Sequence, residues 1–326
     1  MNVFITAPIM SKTQELLEAQ GHKVVTWSKP TSITHDELHT NAKKADALVT
    51  MLSDKIDANF LKQNTHLKVI TNYAVGYNNI DIDAATKHGI AIGNTPDVLT
   101  EATADLALAL MINISRKITL SNIETKNGKW KGWEPLGYLG QNLRRKKLGI
   151  IGAGRIGQHF ATTCKHAFDM EIFYTARSTK GEFESTTNAR KVELDTLLKN
   201  SDVVSIHCDL NEQTENLINK ESLSLMKSSA ILINTARGAI INERDLLMAL
   251  KQKSIWGAGL DVTNPEPMDK SSELLLHPSV LVTPHIGSAT LEARELMCEM
   301  VAKNIIFGLE KKSLAGDVNK LFTGKS

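Results

Sequence analysis

The stretch Lys147–Gly157, KLGIIGAGRIG, decides the fold. Its first five residues form a short, mostly apolar run that reads as a buried strand. Gly152, Gly154 and Gly157 follow in the spacing G-x-G-x-x-G, and a helical pattern runs over Gln158–Ala167. The first glycine permits a tight turn, the second lets the backbone approach a pyrophosphate, and the third lets the helix lie close to the strand. The helix N-terminus then presents free N–H groups and a partial positive charge to phosphates. The glycine spacing alone is a weak signal, and the flanking strand and helix make it specific.

Strand-like runs continue downstream at Glu171–Thr175, Val203–His207, Ala230–Asn234, Gly257–Leu260 and Val280–Val282. Six strands with helices between them match a complete dinucleotide-binding unit. Upstream, Val3–Thr6, Lys23–Trp27, Ala47–Thr50, Val69–Thr71 and Ile90–Ile92 alternate with helical patterns near Lys12–Gln20, His35–Lys43, Ala58–Gln63 and Asp83–His88. Strand–helix alternation implies parallel sheets covered on both faces. The fold class is therefore α/β, with two doubly wound parallel-sheet domains. Thr100–Ile118 reads as one helix, apolar nearly all round and hence buried. Gly128–Gly140, GKWKGWEPLGYLG, reads as an ordered loop, because Trp130, Trp133 and Tyr138 require a packing surface. A last helix follows Ala289.

The totals exclude several classes. The 326 residues carry a net charge of +2 from 38 basic and 36 acidic side chains, too balanced for a nucleic-acid or membrane surface. The basic run Arg144–Lys147 reads as a solvated lead-in to a strand. Cys164, Cys208 and Cys298 are widely spaced and support neither a disulfide framework nor a zinc site. The N-terminus MNVFITAPIM lacks the pattern of a secretory leader, and no apolar run reaches bilayer length. These features predict a cytoplasmic protein. Neither a G-x-S-x-G nucleophile elbow nor clustered metal ligands are found.

The cofactor choice turns on the end of the second strand, where a carboxylate would bind the ribose 2′-hydroxyl of NAD. That segment reads EIFYTARSTK, and Glu171 stands at the wrong end of it. Arg177 could pair with a 2′-phosphate and Ser178 could add a hydrogen bond. NADP(H) is favoured, with NAD(H) possible if Arg177 only stacks on adenine.

Three further segments, NTARG (Asn234–Gly238), GLDVTNPEP (Gly259–Pro267) and TPHIGSAT (Thr283–Thr290), each follow a strand's C-terminal end. Open parallel sheets place their ligands there. Singly, Arg237 reads as a surface residue, Glu266 as a rigid turn between prolines and His285 as a turn residue. Their shared context points to a catalytic set. His207 also follows a strand, and reads as structural or adenosine-lining.

With these motifs, and with NYAVGYNNID (Asn72–Asp81) and NTPDVLTEATAD (Asn94–Asp105), the chain resembles the D-isomer-specific 2-hydroxyacid dehydrogenase family, particularly its glyoxylate/hydroxypyruvate reductase branch. The resemblance covers nearly the whole chain. It implies a flavodoxin-like substrate domain (1–98 plus 289–326) and an inserted Rossmann domain (99–288). It implies NAD(P)H-dependent reduction of a small 2-oxo acid to the D-2-hydroxy acid. Arg237 would bind the substrate, a task suited to a guanidinium fork. His285 would act as acid/base, and Glu266 would fix its tautomer. Cofactor contacts would come from Gly152, Gly154, Arg155, Ile156, Gly157, Arg177, Ser178, Thr235, Asp261 and Gly287. Val75 and Gly76 would offer N–H groups to the substrate carboxylate. A homodimer is expected, with Thr100–Ile118 and Trp130–Tyr138 as candidates for its interface. The family commonly has a proline where Asp209 stands, a departure that bears on the adenine side. D-lactate- and phosphoglycerate-type dehydrogenases share the triad. So do the C-terminal-binding-protein corepressors, a non-catalytic, nicotinamide-sensing alternative. A formate dehydrogenase would have Gln in place of Glu266.

Overall fold

Five strands, Asn2–Ile5 (β1), Lys23–Thr26 (β2), Ala47–Thr50 (β3), Val69–Asn72 (β4) and Ala91–Gly93 (β5), form a parallel sheet in the order β2-β1-β3-β4-β5. This is the flavodoxin-like order. β3 and β4 are buried on both faces, as strands between two helix layers must be. The chain returns to this sheet as the helix Leu291–Leu309, whose N-cap Thr290 accepts the Ala293 N–H at 3.1 Å. Gly308 brings that helix close to β4; a Cβ there would lie 2.6 Å from Val69. The sheet and this helix belong to one compact unit, Met1–Leu99 together with the chain from Ser288 on. This computed structural model describes residues 1–322.

The second unit, Thr100–Gly287, holds a seven-stranded parallel sheet. Its strands are Lys147–Ile151 (β6), Glu171–Thr175 (β7), Arg190–Lys191 (β8), Val203–Ile206 (β9), Ile231–Asn234 (β10), Gly257–Leu260 (β11) and Val280–Val282 (β12). The order is β12-β11-β10-β9-β6-β7-β8. The sequence led us to expect six strands. The missed one is β8, two exposed basic residues at the sheet edge, which carry no apolar signal. It is the third strand of the Rossmann order, so β12 is a seventh strand beyond that six.

Two local expectations need correction. The helix expected over Thr100–Ile118 stops at Arg116, and a second helix spans Ile118–Lys126. Lys117 between them adopts a left-handed conformation with φ 54°. The Asn113 side chain fixes the break, donating to Thr119 Oγ1 at 2.7 Å and accepting the Thr119 N–H at 3.2 Å. The longer helix is also not buried all round. It buries Ala104, Ala107, Leu110, Met111 and Ile114, while Leu106, Leu108 and Ile112 are only partly covered. The Gly128–Gly140 loop does not bury its aromatics within the chain. Trp130 is 61% exposed, Trp133 85% and Leu136 81%.

Candidate active site

The glycine-rich turn sits where the strand order reverses, between β6 and β9. Gly152 has φ +94°, and a Cβ on it would fall 2.5 Å from the Cys208 backbone nitrogen. A Cβ on Gly157 would lie 2.4 Å from the Gly152 carbonyl, so helix and turn meet without side chains between them. Around Gly154, in contrast, no atom lies within 4 Å of a built Cβ. Gly154 is the N-cap of the helix Arg155–Phe168 and offers no side chain to its free N–H groups. A buried hydroxyl, Thr235 Oγ1, also has no hydrogen-bond partner among the described residues. Open space at a helix N-terminus and an unsatisfied buried hydroxyl at the end of β10 both fit a bound dinucleotide. Arg155 and Ile156 open the same helix.

His207 follows β9 and hydrogen-bonds Ser205 Oγ through Nε2 at 2.8 Å. Its ring packs against Phe160, and burial pushes its pKa down to about 3. A neutral, partly buried, hydrogen-bonded imidazole is a structural element of this turn.

At the end of β7, Arg177 and Ser178 are exposed, and Lys180 Nζ donates to Ser178 Oγ at 3.1 Å. The Lys180 N–H is held by the Tyr174 hydroxyl at 2.9 Å, and Tyr174 donates to Glu184 at 2.8 Å. Glu171 lies at the opposite end of the strand, paired with Arg190 at 3.4 Å. The sequence reading overlooked Lys180, although a third basic or hydroxyl side chain two residues beyond Ser178 was visible there.

The three NTARG, DVTNPEP and PHIGSAT segments leave the neighbouring strands β10, β11 and β12. His285 Nδ1 lies 2.9 Å from Glu266 Oε2. Glu266 Oε1 in turn accepts the Thr263 N–H at 3.1 Å. Burial alone would raise the Glu266 pKa, but hydrogen bonding to His285, its charge, the Thr263 N–H and Arg237 together hold it below the usual value. Arg237 is partly buried, and its Nη1 donates to the Ala236 carbonyl at 2.6 Å. Burial lowers the Arg237 pKa against the opposing charges of Glu266 and Asp209, though a guanidinium stays protonated. Asp209 was expected to matter for the adenine side; its charge also acts on Arg237.

The backbone around Arg237 is fixed by Asn234, whose amide donates to the Arg237 carbonyl at 2.9 Å and accepts the Ala236 N–H at 3.0 Å. Gly238 packs directly on Thr263, within a distance that no Cβ could tolerate. Asp261 organises the histidine segment. It accepts from Thr283 Oγ1 at 2.6 Å and from the Ile286 and Gly287 N–H groups, each at 2.8 Å. Burial raises its pKa against those three hydrogen bonds. His285 itself sits at φ 53°, a left-handed position held by its N–H bond to the Asp261 carbonyl at 3.0 Å. The sequence reading missed Asn234 and Thr263, because an amide and a hydroxyl residue beside a charged one carry no signal of their own.

In the first unit, Val75 and Gly76 lie in the loop after β4. The Asn94 side chain donates to the Val75 carbonyl at 2.7 Å, and the Asn72 side chain donates to the Gly76 carbonyl at 2.7 Å. No group of three or more His, Cys, Asp or Glu that could hold a metal ion occurs among the described residues. No helix among them is long and apolar enough to cross a membrane.

Comparison with known proteins agrees with this geometry. Residues 108–287 match the family described as D-isomer specific 2-hydroxyacid dehydrogenase, NAD binding domain. A glyoxylate reductase of Thermococcus litoralis is 46% identical over 308 residues, 93% of this chain and 92% of the relative. A glyoxylate reductase of Aeropyrum pernix is 40% identical over 98% of this chain and 96% of its own length. Among solved structures, the TT0316 protein of Thermus thermophilus superposes with a TM-score of 0.91 at 38% identity, covering 98% of this chain and all of that one. A glyoxylate reductase from Paecilomyes thermophila gives a TM-score of 0.87 at 31% identity, covering 98% of both chains. The chain belongs to the D-isomer-specific 2-hydroxyacid dehydrogenase family and is a nicotinamide-dependent oxidoreductase.

Proposed function

We propose that the chain reduces a small 2-oxo acid of the glyoxylate or hydroxypyruvate type to the D-2-hydroxy acid. The observation that carries this reading is the 2.9 Å His285–Glu266 pair, with the partly buried guanidinium of Arg237 near enough to feel the Glu266 charge. A reduced nicotinamide cofactor, held over the Gly152–Gly157 turn, would supply hydride to C2 of such an acid. Arg237 binds the carboxylate and polarises the 2-oxo group, a planar target for a planar fork. His285 Nε2 delivers a proton to the oxygen that becomes the alkoxide, and takes it back in the reverse direction. Glu266, on Nδ1, keeps the ring in the tautomer and orientation this requires. Val75 and Gly76 offer N–H groups to a carboxylate. The relatives named glyoxylate reductase support this substrate class over larger 2-oxo acids. The test is cofactor oxidation followed optically with glyoxylate and hydroxypyruvate. Absence of turnover across a panel of 2-oxo acids would favour a nicotinamide-sensing role instead.

NADP(H) is the proposed cofactor. No carboxylate stands at the end of β7 to repel a 2′-phosphate, and Arg177, Ser178 and Lys180 gather there. KM for NADPH should be at least about tenfold below that for NADH, and Arg177→Ala should erase most of this preference by raising KM for NADPH. A wild-type preference for NADH would remove the 2′-phosphate role and keep the enzyme class.

A second copy of the chain is proposed to cover the segment 118–139. It exposes Ile118, Ile123, Trp130, Trp133, Leu136 and Leu139 within one stretch of chain, and clustered exposed apolar side chains mark interaction surfaces. Lys129 at the start of the loop donates to Glu124 of the Ile118–Lys126 helix at 3.3 Å, tying the loop to that helix. Light scattering should give twice the chain mass, and Trp133→Glu should shift it toward the monomer. A monomeric wild type would end the proposal.

A further inference from the structure

Three successive peptide groups after β4 are held by their carbonyls. The Ala74 carbonyl accepts the Thr95 N–H at 2.9 Å, the Val75 carbonyl accepts Asn94 Nδ2 at 2.7 Å, and the Gly76 carbonyl accepts Asn72 Nδ2 at 2.7 Å. All three peptide bonds are trans, so each following N–H points away from the donor that grips its peptide plane. Those are the N–H groups of Val75, Gly76 and Tyr77. Among the described residues none of the three meets an acceptor, nor does the Ala74 N–H before them, while the Tyr73 N–H is bonded to the Thr50 carbonyl at 2.8 Å. Consecutive free N–H groups are an anion-binding element.

The two asparagines are built in. Asn72 is fully buried; its Oδ1 accepts from Thr50 Oγ1 at 3.0 Å, and its Nδ2 also reaches Asn79 Oδ1 at 3.0 Å. Asn79 is itself anchored to the Met51 and Asp54 carbonyls. Asn94 has its N–H on the Gly316 carbonyl at 3.0 Å and its carbonyl on Asn304 Nδ2 at 2.9 Å. Asn304, also fully buried, takes the Gly316 N–H at 2.9 Å, and its Nδ2 reaches Thr71 Oγ1 at 3.2 Å, next to Asn72 in the chain. Two further amide side chains, Asn79 and Asn304, and the Gly316 segment thus support the two donors. With Asn72 and Asn304 each bonded through both amide atoms, the network favours a single geometry.

We propose that Asn72 and Asn94 are positioning residues, which act through the peptide planes of Ala74–Gly76 to aim the Val75, Gly76 and Tyr77 N–H groups at a substrate carboxylate. This rests on the reading of the chain as a 2-oxo acid reductase. An amide donor is required at each position. An isosteric carboxylate would turn the attraction for the carbonyl into repulsion and release the plane.

The test is Asn94→Asp, with Asn72→Asp as an independent second variant. Each should raise KM for glyoxylate by about tenfold or more near pH 8, with kcat and the Kd for NADPH within about threefold of wild type. Lowering the pH toward about 5.5 should bring KM back toward wild type, because the introduced buried carboxyl becomes protonated and donates again. A general packing defect would not recover in this way. In parallel, amide resonances of Val75, Gly76 and Tyr77 should shift on titration of the wild type with oxamate, and shift less in the variants. Unchanged KM, or equal losses in kcat, cofactor affinity and KM without recovery at low pH, would overturn the proposal. If the wild type reduces no 2-oxo acid, the proposed function fails separately, and the oxamate titration decides: no shift at these three amides in the wild type overturns the positioning role as well.

Discussion

Arg237→Ala is expected to lower kcat/KM for glyoxylate by roughly 10³-fold, with the Kd for the nicotinamide cofactor within about twofold of wild type. The guanidinium is partly buried, feels the Glu266 charge, and has its Nη1 anchored on the Ala236 carbonyl. The side chain therefore does not search for its place when an anion arrives. Arg237→Lys should recover little, since an ammonium cannot address a carboxylate and an adjacent oxo oxygen with a planar fork. Steady-state kinetics with a fluorescence titration of cofactor separates the two quantities. Retained turnover in the alanine variant would remove Arg237 from the proposed reaction.

His285→Ala should lower kcat by a factor of roughly 10²–10⁴, the range for loss of a positioned acid/base. Glu266→Gln is the more informative companion, because an amide can still bond the ring but carries no charge. It should reduce kcat less than His285→Ala does. It should also change how stability depends on pH. The folded pKa of Glu266 is depressed, so its contribution to stability is complete above the unfolded value of about 4.3 and is lost as the pH falls through the folded value. Denaturant unfolding of wild type and Glu266→Gln at pH 7 and in the acid range checks this. The difference between the two proteins should shrink on acidification, and a constant difference would contradict the assignment.

Most of the fold was legible because its strands are short apolar runs bounded by turns. β3, β6, β7, β11 and β12 lie where the residue pattern puts them. The failures have separate causes. β8 is a pair of exposed basic residues whose pairing with Phe173 and Tyr174 is a tertiary event. The break at Lys117 depends on what Asn113 does with Thr119, and hydropathy does not register that bond. The Trp130–Leu139 segment was expected to find packing partners, since aromatic residues normally do. A single chain does not provide them.

The site was readable at the level of charged residues and glycines. Arg237, Glu266 and His285 each read alone as surface or turn residues, and only their shared place after strand ends makes them a candidate set, while the glycine spacing marks the dinucleotide turn. The groups that hold them in place were not readable. Thr263, Asn234, Asn72 and Asn94 act through backbone atoms, and the partners of a backbone atom depend on the fold rather than on neighbours in the chain. The family resemblance supplied roles for the charged residues. It left open what fixes their geometry.

The contact of Gly238 against the Thr263 backbone has a consequence for how this enzyme can vary. The two loops carrying the arginine and the glutamate interlock at a point where neither can add an atom. A saturation library scored for growth or turnover should therefore find Gly238 as intolerant as Arg237, although it has no functional group. New substrate preferences would have to arise by substitution away from this junction, which divides the molecule into parts open to adaptation and a part closed to it.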